Sequence, residues 1–285
     1  NYLRRKYYDV TFGNTSRLPI RSGTERVYID QQTLAQVDGV TIKQLTGKDM
    51  DVQSSSYTGL FQLLIPGIDY VMDYSKGLVT FNRTLNPQEV VLIEYQNTGG
   101  TFLSQNGSTG SVTADALAGE ILPAIIKTPS DIALSSVTAI SDLQVSHKSE
   151  LKTYYSIGQS NIVRDNGNGN FTLKVQDLNR NEVLPTLTNN MPKYPNTIEV
   201  DFEQGIFNLK QPFTLDGAPA SSPDPQIYSA APGSKRIIRV DYSFRFKTFL
   251  LEPSIVLQSE VVRVDGKKLG RNEEYFIDYD SGFIT

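Results

Sequence analysis

The chain has 285 residues and a net charge of −4, with 27 Lys and Arg against 31 Asp and Glu, and only 39% of its residues are hydrophobic. It contains no Cys, no Trp and a single His, which excludes Cys/His zinc sites, iron–sulfur clusters and cysteine nucleophiles and leaves His147 as the one imidazole available to a Ser/His/Asp triad. Its weakly acidic, dispersed charge also argues against a nucleic-acid partner. We therefore expect a protein that is not an enzyme.

The two ends of the sequence resemble the interior of a longer chain. Residues Asn1–Val10 lack both Met and the apolar core of a signal peptide, and Gly282–Thr285 read as the middle of a strand. No run of about 18 apolar residues occurs, so no transmembrane helix is predicted. The sequence is interpreted as an excerpt of a longer polypeptide.

A short motif is repeated along the chain. Residues 64–81 read LIPGIDYVMDYSKGLVTF, residues 269–285 read LGRNEEYFIDYDSGFIT, and a weaker copy at 198–209 reads IEVDFEQGIFNL. In the first copy Tyr70–Tyr74 alternates as a strand, and Gly77 supplies the positive φ of a tight turn. Each copy therefore predicts a β-hairpin, with neighbouring strands at Val90–Tyr95, Arg236–Tyr242 and Val261–Asp265.

Both strong copies carry two acidic residues four positions apart, Asp69 with Asp73 and Glu274 with Asp278. In a strand this spacing separates the side chains by about 13 Å, which is too wide for a glycosidase pair. We interpret them as structural residues that bound the turn.

The remaining patterns indicate a mainly β fold of repeated antiparallel hairpin or sandwich-like modules, with a short helix and a long linker. The alternating strand Ile238–Phe246 favours the inner face of a sandwich, and a lipid-facing strand of an outer-membrane barrel is the alternative. The best helix candidate is Thr113–Lys127. The predicted divisions are a first β module at 1–97, a Gly/Ser-rich linker at 98–149, a second β module at 150–247 and a truncated third repeat at 248–285.

One segment has the residue types of a calcium loop. Residues 165–170 read DNGNGN, and oxygen ligands on a Gly-bearing turn are typical of Ca²⁺ sites, so the candidate ligands are Asp165, Asn168, Asn170 and Asp177. The EF-hand spacing is not met, because Gly167 occupies the third position and no Glu stands at the twelfth. A plain Asn/Gly hairpin turn explains the same residues. No other cofactor is predicted, and a calcium-dependent carbohydrate-active domain remains the enzymatic alternative.

Two motifs together resemble segments of the SprA (Sov) family of gliding-motility proteins. The first is the hairpin, and the second is the stretch from Glu150 to Leu184, which contains a Lys-x-x-Tyr-Ser opening and a Phe-x-Leu strand. The matching residues are Lys152, Tyr155-Ser156-Ile157, Phe171-Thr172-Leu173, Asp69-Tyr70, Asp73-Tyr74 and Gly77.

The resemblance implies a segment of a large bacterial cell-envelope protein, related to the outer-membrane translocon of the type nine secretion system. The implied role is structural, in protein secretion across the outer membrane. The implied location is the outer membrane, the cell surface or the periplasmic face. The implied partners are other segments of the same large chain and envelope or secretion proteins, with membrane association through regions outside these residues. The hairpin also resembles units of phage tail and adhesion proteins, so a module that binds a receptor or neighbouring subunits is the alternative.

Overall fold

The computed structural model of the chain is almost entirely β, which confirms the predicted fold class. It describes residues 2–33, 38, 41–49, 56–100, 123–129, 149–165, 169–182, 194–214, 223–228, 236–244, 248–264, 266–271 and 274–285. Within these ranges the helices are short: a single 3-10 turn at Thr15–Arg17 and the one-turn helix α1 at Pro225–Tyr228.

The strands fall into three groups along the chain. The first group is β1 (Tyr7–Asp9), β2 (Arg26–Asp30), β3 (Ile42–Asp49), β4 (Ser56–Leu63), β5 (Tyr70–Asp73), β6 (Leu78–Phe81), β7 (Val90–Glu94) and β8 (Ala124–Lys127). The second group is β9 (Tyr154–Ser156), β10 (Phe171–Gln176), β11 (Glu199–Asp201), β12 (Ile206–Asn208) and β13 (Ile237–Tyr242). The third group is β14 (Phe249–Leu250), β15 (Arg263–Val264), β16 (Lys267–Lys268), β17 (Ile277–Asp278) and β18 (Phe283–Ile284).

Among the described residues, the same three-stranded sheet is built three times. Its order is β1-β6-β5, then β9-β12-β11, then β14-β18-β17, so an opening strand always pairs with the second strand of the following hairpin. The register is also the same in all three sheets, because the residue after the turn glycine always lies opposite the same position of the opening strand. The pairs are Leu78 with Asp9, Ile206 with Ser156 and Phe283 with Leu250. We call the three groups the first, second and third unit.

Each unit also has an inner strand, which follows the opening strand along the chain. In the first unit β2 pairs antiparallel with the closing strand β7, and in the second unit β10 pairs in the same way with the closing strand β13. In each of these two units the inner and closing strands pack face to face on the three-stranded sheet and form a small sandwich. The apolar side chains Ile238, Val240 and Tyr242 of β13 pack against the core of the second unit, as the sandwich interpretation predicts.

The first unit contains an additional closed barrel, with strand order β2-β4-β3-β8-β7. Because successive side chains of a strand point to opposite faces, β7 serves two cores. Val91 and Ile93 pack in the sandwich, whereas Val90 and Leu92 pack inside the barrel with Phe61.

The helix predicted over Thr113–Lys127 is wrong for its last part. Residues 113–122 lie outside the described residues, but Ala124–Lys127 forms strand β8, which pairs parallel with β3 and antiparallel with β7. All four residues of β8 are buried, and the adjacent Ile125 and Ile126 are β-branched, so a strand with both faces covered is favoured over a helix. The segment predicted as a linker thus contributes a strand to the barrel.

Candidate functional site

The first acidic residue of the calcium candidate closes its own loop. Asp165 is buried, and its carboxylate accepts hydrogen bonds from the backbone N–H groups of Gly169 (3.2 Å) and Phe171 (3.4 Å). Asn170 is exposed at the start of β10, and Asn168 lies outside the described residues. These two bonds tie Asp165 to the end of its own Asn/Gly loop, where the chain enters β10.

Asp177 lies at the other end of the same strand. It follows β10, whereas Asp165 precedes it, and the seven residue steps from Asn170 to Asp177 span roughly 23 Å of extended chain. Its carboxylate accepts bonds from the N–H groups of Asn179 (2.8 Å) and Asn181 (2.9 Å) and from the Asn181 side chain, and these bonds lower the pKa of Asp177. The structure therefore does not bring Asp177 to Asp165. In the part of the chain that is described, no group of three or more His, Asp or Glu side chains is placed to hold a metal ion.

The acidic residue before each repeated turn has one shared role. Oδ1 of Asp73 accepts from the N–H groups of Ser75 (3.0 Å) and Lys76 (3.1 Å). The N–H of Gly77, whose φ is +64°, donates to the carbonyl of Asp73 (2.8 Å). The hydrogen bond from the Ser75 hydroxyl is the main cause that lowers the pKa of Asp73.

The other two copies form the same turn. Asp201 accepts from Glu203 and Gln204, and Asp278 accepts from Asp280 and Ser281. Their turn glycines, Gly205 and Gly282, have φ values of +67° and +73° and donate back to the carbonyls of the same acidic residues, both at 2.9 Å. The predicted hairpin repeat is confirmed.

The first acidic residue of each strong copy caps the loop that enters the hairpin. The Asp69 carboxylate accepts from the N–H of Ile65 (2.7 Å), and the Glu274 carboxylate accepts from the N–H of Gly270 (2.8 Å). Asp69 and Glu274 are therefore structural residues, as predicted, since each closes a loop of five residues.

A glutamate carboxylate holds the tip of the hairpin against the inner strand. In the first unit Glu25 immediately precedes β2, is 7% exposed and accepts a 2.7 Å hydrogen bond from the hydroxyl of Tyr74. In the third unit Glu260 accepts from both Tyr275 (2.8 Å) and Tyr279 (2.9 Å). We call these the carboxylate–tyrosine clusters.

The protonation states in the clusters favour these hydrogen bonds. Burial, together with the bond to the facing glutamate, raises the pKa of Tyr74 and of Tyr275, so both phenols remain donors. Burial opposes ionisation of Glu260, but the bonds from its two tyrosines outweigh it and lower the pKa of this carboxyl. Tyr74 and Tyr275 thus keep their protons near neutral pH, and Glu260 stays a carboxylate that accepts hydrogen bonds.

The second unit replaces the whole cluster with apolar side chains. By register, Phe171 takes the place of Glu25, and Ile198 and Phe202 take the places of Tyr70 and Tyr74. Phe171 and Phe202 meet edge to face, with ring centroids 5.6 Å apart. The glutamate and its tyrosine donors are replaced together, because a buried carboxylate without hydroxyl donors would be costly.

The opening strands of the first and second units lie against each other. The backbone N–H of Leu3 donates to the carbonyl of Tyr154 (2.9 Å), and that of Leu151 donates to the carbonyl of Tyr7 (2.8 Å). Tyr7 and Tyr154, which are equivalent residues in the two units, stack with centroids 3.9 Å apart and planes 7° apart. We call this contact the unit joint.

A buried glutamate completes the unit joint. Glu150 is 4% exposed, and its Oε1 accepts from the hydroxyl of Tyr2 and from the backbone N–H of Arg5, both at 2.7 Å. The nearby Lys152 is also buried and donates to the backbone carbonyl of Glu150. Burial lowers the pKa of Lys152 to about 8.

The glutamates of the clusters were not predicted from the sequence. A signal for them exists, since Ile20 to Val27 and Ile255 to Val262 both follow the pattern Ile-x4-Glu-x-Val. In both units the isoleucine N–H donates to the carbonyl of the hairpin tyrosine, and this contact sets the glutamate beside the phenol.

Comparison with known proteins adds no family to these observations. A search of protein-family models gave no match to this sequence, and a search of the curated proteins likewise gave none. The resemblance to the SprA family therefore rests on its motifs. Within the described ranges no helix has the length and apolar character needed to cross a bilayer.

Proposed function

We propose that the chain is a non-catalytic structural segment of a large bacterial cell-envelope protein related to the type nine secretion translocon. In this proposal the repeated units form a framework, and the framework holds other parts of the assembly at fixed spacing. The proposed partners are other segments of the same protein and envelope or secretion proteins.

The observation that carries the proposal is the repetition of one sheet in one register, with two units joined through their opening strands. The backbone bonds of the unit joint continue from one sheet into the next, so the first two units are connected by main-chain pairing as well as by side chains. Strand pairing of this kind is a stiff connection, because backbone bonds on both sides fix the orientation. A framework role needs such a connection.

The use of the acidic side chains also supports a structural role. Asp73, Asp201 and Asp278 hold turns, Glu25 and Glu260 hold hairpin tips, and each accepts hydrogen bonds from its own unit. A general acid or base would have to be turned toward a substrate instead. The resemblance to the SprA family supplies the cell-envelope context.

The proposal is tested in the source organism by tagging the protein, separating its membranes and measuring the proteins released into the medium. We expect the tagged protein in the outer-membrane fraction. We also expect less secretion when the unit joint is weakened by Tyr154→Ala. The matched control is Glu203→Ala, an exposed position in the hairpin turn of the second unit, outside the joint.

The outcomes separate the proposal from its alternative. Unchanged secretion in the Tyr154→Ala strain, together with recovery of the protein in virus particles, would replace the envelope role by the phage or adhesin role. Recovery in the cytosolic fraction would contradict both roles.

A further inference from the structure

The third unit has no counterpart of the closing strand among its described residues. In the first unit β7 pairs with the inner strand β2, and in the second unit β13 pairs with the inner strand β10. The inner strand of the third unit is β15, and in the part of the chain that is described it pairs with β16 alone. Within the described ranges, one edge of β15 is therefore unpaired.

Apolar side chains that the first two units bury are exposed in the third unit. Val264 is 54% exposed, whereas its equivalents Ile29 and Val175 are both 0% exposed. Phe249 is 58% exposed, whereas its equivalent Tyr8 is 0% exposed. The exposed face therefore lies where the other units carry their sandwich core.

The open edge also presents backbone donors in a known direction. The N–H of Leu269 donates to the carbonyl of Val262, so the polar backbone groups of Val262 face β16. Because these groups alternate in direction along an antiparallel strand, those of Val261 and Arg263 face the open edge. An added strand would form backbone hydrogen bonds with these groups.

The closing strands of the first two units define what fits this position. Both have two aliphatic residues and a tyrosine at alternate positions, and in each unit these three side chains pack on the sandwich core. The residues are Val91, Ile93 and Tyr95 in the first unit and Ile238, Val240 and Tyr242 in the second.

The tyrosine of the pattern has a defined place. Continuing the register of β7 sets Tyr95 opposite Glu25, and its buried hydroxyl donates to the carbonyl of Val10 (2.7 Å). The equivalent residues in the third unit are Glu260 and Leu251, which is 42% exposed where Val10 is 0% exposed.

We propose that the open edge of β15 binds an extended polypeptide strand from outside these 285 residues, with the pattern aliphatic-x-aliphatic-x-Tyr. The strand pairs antiparallel with β15, its tyrosine lies opposite Glu260, and its aliphatic side chains cover Val264 and Phe249. This is strand addition at a sheet edge, in which main-chain bonds give affinity and alternate side chains give specificity. The inference rests on the comparison of the three units and is independent of the proposed function.

The test uses the whole chain and a labelled peptide, IIRVDYSF, which copies residues 237–244. Binding is followed by fluorescence anisotropy, and the site is located by hydrogen exchange. We expect protection of the Val261 and Arg263 amides and no binding of a peptide with the same composition in scrambled order. The peptide with Tyr replaced by Ala should bind about tenfold more weakly, because it leaves the tyrosine position empty.

A matched pair of proline variants tests the edge itself. Arg263→Pro removes an N–H of the open edge, and Lys268→Pro removes one from the opposite edge of the same hairpin, directly across the strand pair. We expect Arg263→Pro to weaken binding about tenfold or more, as for loss of one or two backbone hydrogen bonds, and Lys268→Pro to change it by about twofold or less.

A second experiment changes only the peptide, so it does not depend on whether a protein variant folds. Peptides N-methylated at one alternate set of residues should lose binding, and those methylated at the other set should keep it. Equal binding of the scrambled peptide, equal effects of both methylation patterns, or protection confined to the second unit would overturn the proposal. It would also be overturned if the chain self-associates through this edge and the peptide does not compete.

Discussion

The turn glycines allow a direct test of the close packing between the hairpin and the preceding loop. We consider Gly205→Ala in the second unit, with Gly169→Ala in the same unit as the matched control. Both glycines have positive φ, +67° and +75°. A Cβ at Gly205 would overlap the backbone carbonyl oxygen of Gln159 and lie 2.7 Å from its carbonyl carbon, whereas a Cβ at Gly169 would meet nothing within 4 Å.

Gly205→Ala should therefore lower the free energy of unfolding more than Gly169→Ala does, and the difference is the cost of the overlap with Gln159. The left-handed conformation alone costs an alanine about 1 kcal/mol, which is the whole effect expected for Gly169→Ala. At Gly205 the backbone must also move away from Gln159. That movement disturbs the bonds from Ile157 to the Gly205 carbonyl (2.8 Å) and from Gly205 to the Asp201 carbonyl (2.9 Å), each of which contributes about 1 kcal/mol. The expected total for Gly205→Ala is about 3 kcal/mol.

The free energy of unfolding of both variants is measured by urea denaturation, and hydrogen exchange locates the change. We expect Gly205→Ala to lose protection at Ile157 and in β12 while the first unit keeps its own. Equal destabilisation by the two substitutions would mean that φ alone sets the requirement for glycine, and the argument from close packing would be refuted.

Three further predictions concern the cluster, the unit joint and the buried lysine. Glu25→Ala should destabilise the chain by about 2 kcal/mol because it removes the buried carboxylate that accepts from the half-buried Tyr74 hydroxyl and leaves its space empty. Glu25→Phe combined with Tyr74→Phe, which copies the second unit, should recover most of that loss, and both variants are measured by urea denaturation. Tyr154→Ala should cost about 1–2 kcal/mol through the lost ring stacking and contact area, and should raise hydrogen exchange at the unit joint. The free energy of unfolding should rise with pH above about 8, by about 2 kcal/mol up to pH 10, and Lys152→Met should abolish this rise.

The sign of the pH effect follows from the direction of the pKa shift. Burial lowers the pKa of Lys152 from 10.5 to about 8, so between these values the unfolded chain holds a proton that the folded chain has lost, and stability rises with pH. Above pH 10 the buried tyrosines, whose pKa values are raised in the folded state, reverse the trend. A flat profile of stability between pH 8 and 10 would contradict the argument on Lys152. A double variant no more stable than Glu25→Ala would contradict the argument on the cluster, and unchanged hydrogen exchange at the joint in Tyr154→Ala would contradict the argument on the unit joint.

The comparison of the three units also shows how one backbone accepts two kinds of core. Glu25 with Tyr74 and Phe171 with Phe202 fill equivalent places, one pair with a hydrogen bond and the other with an edge-to-face ring contact. Either pair is self-consistent, whereas a mixture would bury a carboxylate beside a phenyl ring. A change at one position of the pair therefore requires a matching change at the other.

The local features of this protein could be predicted from its sequence. The three hairpins could be predicted because Asp73, Gly77 and their counterparts act within a few residues: the carboxylate caps the turn and the glycine adopts positive φ without a Cβ penalty. The mainly β fold followed from alternation of side chains, which is also a short-range property.

The way these features combine depends on contacts between distant parts of the chain. The sequence pattern suggested a helix through Ala124–Lys127, but burial on both faces between β3 and β7 makes this segment a barrel strand. Asp165 and Asp177 are close in sequence, yet an extended strand holds them at its two ends, so their chemistry is that of separate turns. Register and strand order depend on contacts between residues far apart in the chain, and no local pattern of residues contains that information.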